Sequence, residues 1–173
     1  CIVSLSATSI TLVLGCLAGY GFSRYRFRGR KAMYAGLLYG QMMPSVVLII
    51  PLYQMFSKIG LIDSYFSLIL PDVVITVPLA TLMLKSFFDG VPKALEEAAR
   101  IDGAKKTQVL LHIMLPIAKP GLVSVGIYTF LTTWEEFIFA LNLTNSAAIR
   151  TLPIAIDMFK GEFVIDWGAI MAS

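Results

Sequence analysis

Five residues near the end of the chain recur at intervals of four, three, four and three: Tyr128, Thr132, Glu135, Phe139 and Asn142. That spacing puts them on one face of a helix. The surrounding residues, from about Gly121 to Leu143, form a largely apolar run whose only other charge is Glu136. An acid inside such a run is expensive in lipid and normally faces a cavity or a partner. The chemistry on offer is hydrogen bonding to a polar solute, with Glu135 as acceptor and the Tyr128 and Trp134 rings as packing surfaces. Trp134 lies one residue off the stripe. Gln41 and Asp72 are further polar residues within apolar runs and are candidates for the same path. Two other placements of the acids stay open: solvated at the outer interface, or paired inside a bundle. A proton relay is the rival use of Glu135 and Asp72 and would make the chain an ion-gradient-driven transporter.

Other chemistries find no support. No GxxxxGK[ST] is present to cradle phosphates, and no GxSxG or HExxH to hydrolyse a bond. The single histidine, His112, has no second ligand nearby and reads as a surface residue. Cys1 and Cys16 share one apolar run with no CxxC spacing, so neither a disulfide framework nor a zinc site is indicated. Asn142-Leu143-Thr144 forms a sequon, which is too short a pattern to carry weight.

These residues must be held by membrane helices. Of the 173 residues, 57% are hydrophobic and 14% charged, and the mean hydropathy is +0.78. A soluble domain carries about 25% charged residues and could not hide this much apolar surface. The same figures exclude disorder, and a net charge of +3 with aromatics set in apolar runs disfavours a nucleic-acid module. A spanning helix needs about 20 apolar residues. The expected spans are about 1–23, 32–57, 64–84 and 121–143, with a further one starting near 167. Buried helices of soluble proteins average about 11–12 residues, so runs of this length point to lipid. No basic stretch precedes the first run, which disfavours a signal peptide. The fold class is thus all-α, a polytopic transmembrane bundle. Because the chain opens on Cys1 within an apolar stretch and closes as another apolar run begins, sequence is expected to be missing at both ends. A lipid-modified Cys1 is the competing reading.

Arg24, Arg26, Arg28, Arg30 and Lys31 lie between the first two spans, and Lys85, Lys93, Arg100, Lys105, Lys106 and Lys119 between the third and fourth. Only Lys58, Arg150 and Lys160 lie on the other side. Basic residues accumulate in cytoplasmic loops, so the chain start is expected outside and loops 24–31 and 85–120 inside. The basic run itself needs no partner beyond solvent or lipid headgroups. Gly15 with Gly19, and Gly36 with Gly40, give two GxxxG spacings that allow close helix approach. Pro44, Pro51 and Pro78 are expected to kink the spans that contain them.

Loop 85–120 is polar and basic but has helical rhythm. Pro92 can open a helix, with Glu96 and Glu97 favourably placed in its first turn. Leu95, Ala98, Ala99 and Ile101 fall largely on one side. Gly103 can end that helix in the left-handed conformation. A second amphipathic stretch follows with Val109, Leu110, Ile113 and Met114 as its apolar side, closed by Pro116 and Pro120. The physics leaves two readings, a helix lying at the lipid interface or a docking element presented to a cytoplasmic partner.

Glu97-Ala98-Ala99, then Gly103, Ile113 and Leu115-Pro116, stand at the spacing of the EAA motif and resemble the permease subunits of ABC importers. Ala18 to Arg24, Gln41-Met42-Met43-Pro44, Thr133 to Phe137 and Arg150-Thr151-Leu152-Pro153 are similar to the carbohydrate-uptake branch, and within it to maltose-type permeases of the second kind. The resemblance implies one transmembrane permease domain over 1–173, partial, from a six-span subunit of the bacterial cytoplasmic membrane. It implies that Glu96, Glu97, Ala98, Ala99, Gly103, Ile113, Leu115 and Pro116 couple to a separate nucleotide-binding ATPase subunit. It further implies a second permease subunit, an extracytoplasmic solute-binding protein and a sugar or polyol substrate moved by alternating access. By the same resemblance the chain is no enzyme and carries no cofactor or metal, ATP and Mg residing on the partner ATPase.

Overall fold

A computed structural model describes residues 1–158. The further span expected from about residue 167 lies outside the described residues. Helix α1 runs over Ile2–Arg24 and ends where Tyr25 turns extended. Helix α4, Tyr65–Asp89, starts at Ser64, whose Oγ accepts from Ser67 N at 3.3 Å. It continues through both Pro71 and Pro78. These two helices are each long and apolar enough to cross a membrane.

α1 and α4 run parallel and share the largest helix interface among the described residues. A Cβ placed on Gly15 would sit 3.0 Å from Ala80 Cβ, and one on Gly19 would sit 3.0 Å from Lys85 N and 3.2 Å from Thr81 O. Backbones this close leave no room for a side chain, which is what the Gly15–Gly19 spacing supplies. One turn nearer the chain start, the Thr11 and Thr76 hydroxyls meet at 2.8 Å. Gly36 and Gly40, the second such spacing, meet nothing within 4 Å. Helix α8, Lys119–Trp134, packs on both, with Gly121 against the Phe87 ring and Gly126 beside Leu12.

The expected single run 32–57 is instead two helices, α2 (Arg30–Met42) and α3 (Ser45–Lys58), bent by 97°. Pro44 is the cause. It disfavours helical geometry at the residue before it, and Met43 is accordingly extended, with φ −76° and ψ 125°. Pro51 is accommodated inside α3. α2 buries no residue and α3 only Phe56. Their apolar side chains, such as Leu38, Met42, Val46 and Ile50, face outward.

The expected run 121–143 is also divided. α8 stops at Trp134, Glu135 to Phe137 are non-helical, and α9 covers Ile138–Leu143. The Glu136 carboxylate is responsible: it accepts from Phe139 N at 2.7 Å and Ala140 N at 3.0 Å. Those donors would otherwise seek the carbonyls of the preceding turn, so the side chain competes with helix continuation. A 3-10 turn, Ala147–Ile149, and helix α10, Leu152–Asp157, complete the described chain. The core divides into two clusters. Val3, Ala7, Phe56, Leu68, Phe139 and Leu143 form one end, and Tyr20, Leu84, Phe88, Val109, Met114 and Val125 form the basic end.

Candidate functional site

At the basic end, α4 gives way through Gly90 to a two-residue turn, and α5 forms over Lys93–Ile101. Pro92 stands just before the first helical residue. The far end of α5 closes as the glycine demands. Gly103 has φ +84°, Ala104 N donates to Ala99 O at 2.9 Å and Gly103 N to Arg100 O at 3.1 Å. This pair of bonds is the Schellman closure, and glycine takes its left-handed residue without penalty. The chain then returns through α6 (Lys106–Val109), a π-helical turn (Leu110–Met114) and α7 (Leu115–Ile117), bent by 76° from α8. Gln108 caps this limb, its Oε1 accepting from Lys105 N at 2.7 Å.

The return limb behaves as its pattern predicts: Val109 and Met114 are fully buried, and Leu110 and Ile113 half-buried. Leu115 is half-buried and Pro116 exposed, while His112 lies on the surface with Nδ1 3.2 Å from Gln108 O. α5 is reversed. Leu95, Ala98 and Ile101 point outward, with Ile101 86% exposed, and Glu97 lies beside them. Ala99 is half-buried. The residue α5 turns inward is Glu96.

Glu96 meets Arg24 from the last turn of α1. Arg24 Nε donates to Glu96 Oε1. Arg24 Nη2 donates to the Val91 carbonyl at 2.8 Å and Nη1 to Ser23 Oγ at 3.2 Å. The second carboxylate oxygen accepts from Tyr20 OH at 3.3 Å. Tyr20 in turn packs edge-on against Phe88 and Tyr25, and Lys106 stands 5.3 Å over the Tyr25 ring. The sequence places Glu96 in the first turn of this helix, among the residues that the resemblance implies couple to the ATPase, and gives no sign of its pairing with Arg24. An acid–base pair 72 residues apart leaves no local signal.

At the opposite end, the five-residue stripe is split. Tyr128 and Thr132 stay on α8, with Glu135 exposed at its end. Phe139 is fully buried on α9, and Asn142 is exposed there with Nδ2 donating to Ile138 O at 2.7 Å. The expected single helical face is therefore corrected to a face of three residues, because the chain unwinds at Glu135 to Phe137. Trp134 stacks on Phe130. It borders a cleft of about 230 Å³ shared with Cys1 to Ser4, Tyr65 and residues 148–153. Asp72, only 5% exposed, lies inside the bundle. Gln41 is exposed near the α2–α3 bend, beside a cleft lined by Val74 and Pro78.

Asp63 carries no sequence signal of a role. It adopts φ +63° in the α3–α4 loop, and its Oδ1 accepts from Asn145 N and Ser146 N, both at 2.9 Å, and from Ser146 Oγ at 3.1 Å. Its own N–H donates to Leu143 O at 3.0 Å. The Ser146 and Asn145 amides hold this carboxyl below the usual carboxylate range. Asp63 thereby fastens the loop after α9 to the loop before α4.

Comparison with known proteins places the chain in a family. Residues 11–173 match the family described as binding-protein-dependent transport system inner membrane component. The chain is 36% identical to the sulfoquinovosyl glycerol transport system permease protein SmoH of Agrobacterium fabrum, over 99% of this chain and 60% of that protein. It is 38% identical to the trehalose transport system permease protein SugB of Mycobacterium tuberculosis, over 98% of this chain and 63% of that one. It is 36% identical to the trehalose/maltose transport system permease protein MalG of Thermococcus litoralis, over 99% and 62%. The chain thus spans about three fifths of the length of these relatives. Its fold is similar to that of a chain in a bacterial ABC transporter involved in import of the acidic polysaccharide alginate, with a TM-score of 0.76 and 20% identity over 99% of this chain and 62% of the other.

Proposed function

Because the chain belongs to the binding-protein-dependent transport system inner membrane component family, we propose that it is part of a permease subunit of an ATP-binding-cassette importer for a sugar or related polyol. In this reading the α5 to Gly103 element docks on a separate nucleotide-binding subunit. The observation that carries the reading is the inverted polarity of α5. A surface helix normally buries its apolar side, whereas α5 buries Glu96 and presents Leu95, Ala98 and Ile101. An unpartnered apolar strip beside Glu97 is suited to a groove on another protein. The relatives' names, which include trehalose, maltose and sulfoquinovosyl glycerol, support the carbohydrate class.

In the proposed orientation the basic end faces the cytoplasm, where the excess of Lys and Arg belongs. ATP and Mg would sit on the partner, and a solute-binding protein would deliver substrate at the opposite end. The outward apolar surfaces of α2 and α3 fit lipid or a second permease. Tyr128 and Thr132 on α8 and Glu135 just past its end remain the candidate path residues, with Trp134, Asn142, Gln41 and Asp72 as further candidates. Alternating access would follow from displacement of α5 by the ATPase. A proton relay through Glu135 and Asp72 accounts for the acids but not for the outward face of α5.

The docking surface is tested by cysteine cross-linking in the assembled transporter. Ala98→Cys and Ile101→Cys should join to the nucleotide-binding subunit, and Val123→Cys on the outward side of α8 should not. Assembly without a cross-link from either α5 position would refute the assignment.

A further inference from the structure

We propose that Arg24 and Glu96 are positioning residues that lock the docking helix α5 to the end of α1, so that displacement of α5 is carried into the bundle instead of being absorbed in the loop. This rests on the docking function proposed above and deepens it. Neither residue is offered to the partner: the two side chains are 5% and 6% exposed.

The geometry has the form of a strut. Arg24 spreads its donors over two separate elements, Glu96 on α5 and the Val91 carbonyl in the α4–α5 turn. Its Nη2 also lies 4.0 Å from the sulfur of Met114 on the return limb. Both Glu96 oxygens are occupied, one by Arg24 and one by Tyr20 OH. The rim residues beside the pair, Lys93, Glu97 and Arg100, are all exposed. Glu96 is the one fully covered residue of α5, with Ala99 half-buried against the basic-end core beside it. The ends of α5 are a proline and a left-handed glycine. By contrast α1 is rigidly joined to α4 through Gly15 and Gly19. A force on α5 thus reaches the α1–α4 pair through the Arg24–Glu96 link.

Stability alone does not account for such a pair. A buried ion pair is often no more stabilising than a well-packed apolar one. What it adds is direction: the fixed guanidinium fork and the carboxylate specify one mutual orientation of the joined elements. Arg24→Lys keeps the charge, but an ammonium on a flexible stem cannot hold Glu96 and Val91 in one fixed fork.

The test uses the complete transporter in proteoliposomes. The E96Q complex should retain its nucleotide-binding subunits and continue to hydrolyse ATP, while solute moved per ATP falls by a factor within the roughly 5–150-fold range of site–site coupling. R24K should fall between E96Q and wild type. Spin labels at Leu5 and Lys93, the latter exposed on α5 and off the docking strip, should give one narrow separation in the wild type, unchanged by ATP, and a broadened one in E96Q. A wild-type ratio of transport to hydrolysis in E96Q would overturn the proposal, as would an unbroadened label separation. Loss of the nucleotide-binding subunit from E96Q would also overturn it, since Glu96 would then serve docking itself. If the wild-type complex moves no solute on ATP, the transport reading fails, while the label separation still reports on the strut.

Discussion

Gly19 and Gly21 lie half a turn apart on α1 and give a matched pair of perturbations. Alanine at either position gains the same helix propensity, about 0.8–1 kcal/mol over glycine. The surroundings differ. A Cβ on Gly19 meets Lys85 N at 3.0 Å, Leu84 Cβ at 3.2 Å and Thr81 O at 3.2 Å, while one on Gly21 meets nothing within 4 Å. Two of the three atoms facing Gly19 are backbone and cannot swing away, so α1 and α4 must separate along their shared interface. Overpacking of this kind costs about 1–3 kcal/mol. The propensity gain cancels in the comparison, leaving G19A less stable than G21A by about 1–3 kcal/mol. Equilibrium unfolding of the two purified variants in the same detergent or bilayer measures the difference directly. G19A matching or exceeding G21A in stability would refute the close-approach account of the α1–α4 interface.

Three further outcomes follow from the loops and caps. Gly103→Val places a β-branched residue at φ +84°, a cost of at least about 1–2 kcal/mol; it should weaken retention of the nucleotide-binding subunit in pull-down of the assembled transporter, whereas Gly103→Asn should largely preserve it. Glu136→Ala removes the acceptor of the Phe139 and Ala140 amides at a cost of about 0.5–2 kcal/mol, so hydrogen exchange there should accelerate, while Glu135→Ala leaves it unchanged. Asp63 has a lowered folded-state pKa, so its contribution is complete above the unfolded value of about 3.9 and is lost as pH falls through the folded one. Exchange protection of the Asn145 and Ser146 amides should therefore hold from neutral pH down to about 4 and drop below it, and Asp63→Asn should lower it even at neutral pH.

What the sequence disclosed is what neighbouring residues decide. α1 and α4 follow from long apolar runs, the second interrupted only by the acid Asp72, and Gly103 announces its own left-handed turn. The outer limits of the α5 to α7 loop follow from Pro92, Pro116 and Pro120. The Pro44 break was half legible, because a proline signals a kink without giving its size, and 97° is a change of direction. The unwinding after Trp134 was hidden, since it depends on Glu136 turning its carboxylate onto the amides ahead of it. Periodicity assigned the stripe through Phe139 and Asn142 to one helix, having no means to sense that capture. The reversed polarity of α5 was hidden for a different reason. Glu96 can be buried only because Arg24 and Tyr20, more than 70 residues earlier, supply its partners. Asp63 is the same kind of case, fastened to Asn145 and Ser146 across 82 and 83 residues.

The central claim is that work enters this chain from an ATPase docked at α5. Solute uptake into proteoliposomes holding the complete transporter and its solute-binding protein measures it most directly. ATP is supplied at the basic end and the proton gradient is collapsed with an uncoupler. The account predicts uptake that persists under the uncoupler and stops when ATP is withdrawn. Uptake that proceeds without ATP and collapses with the proton gradient would contradict it.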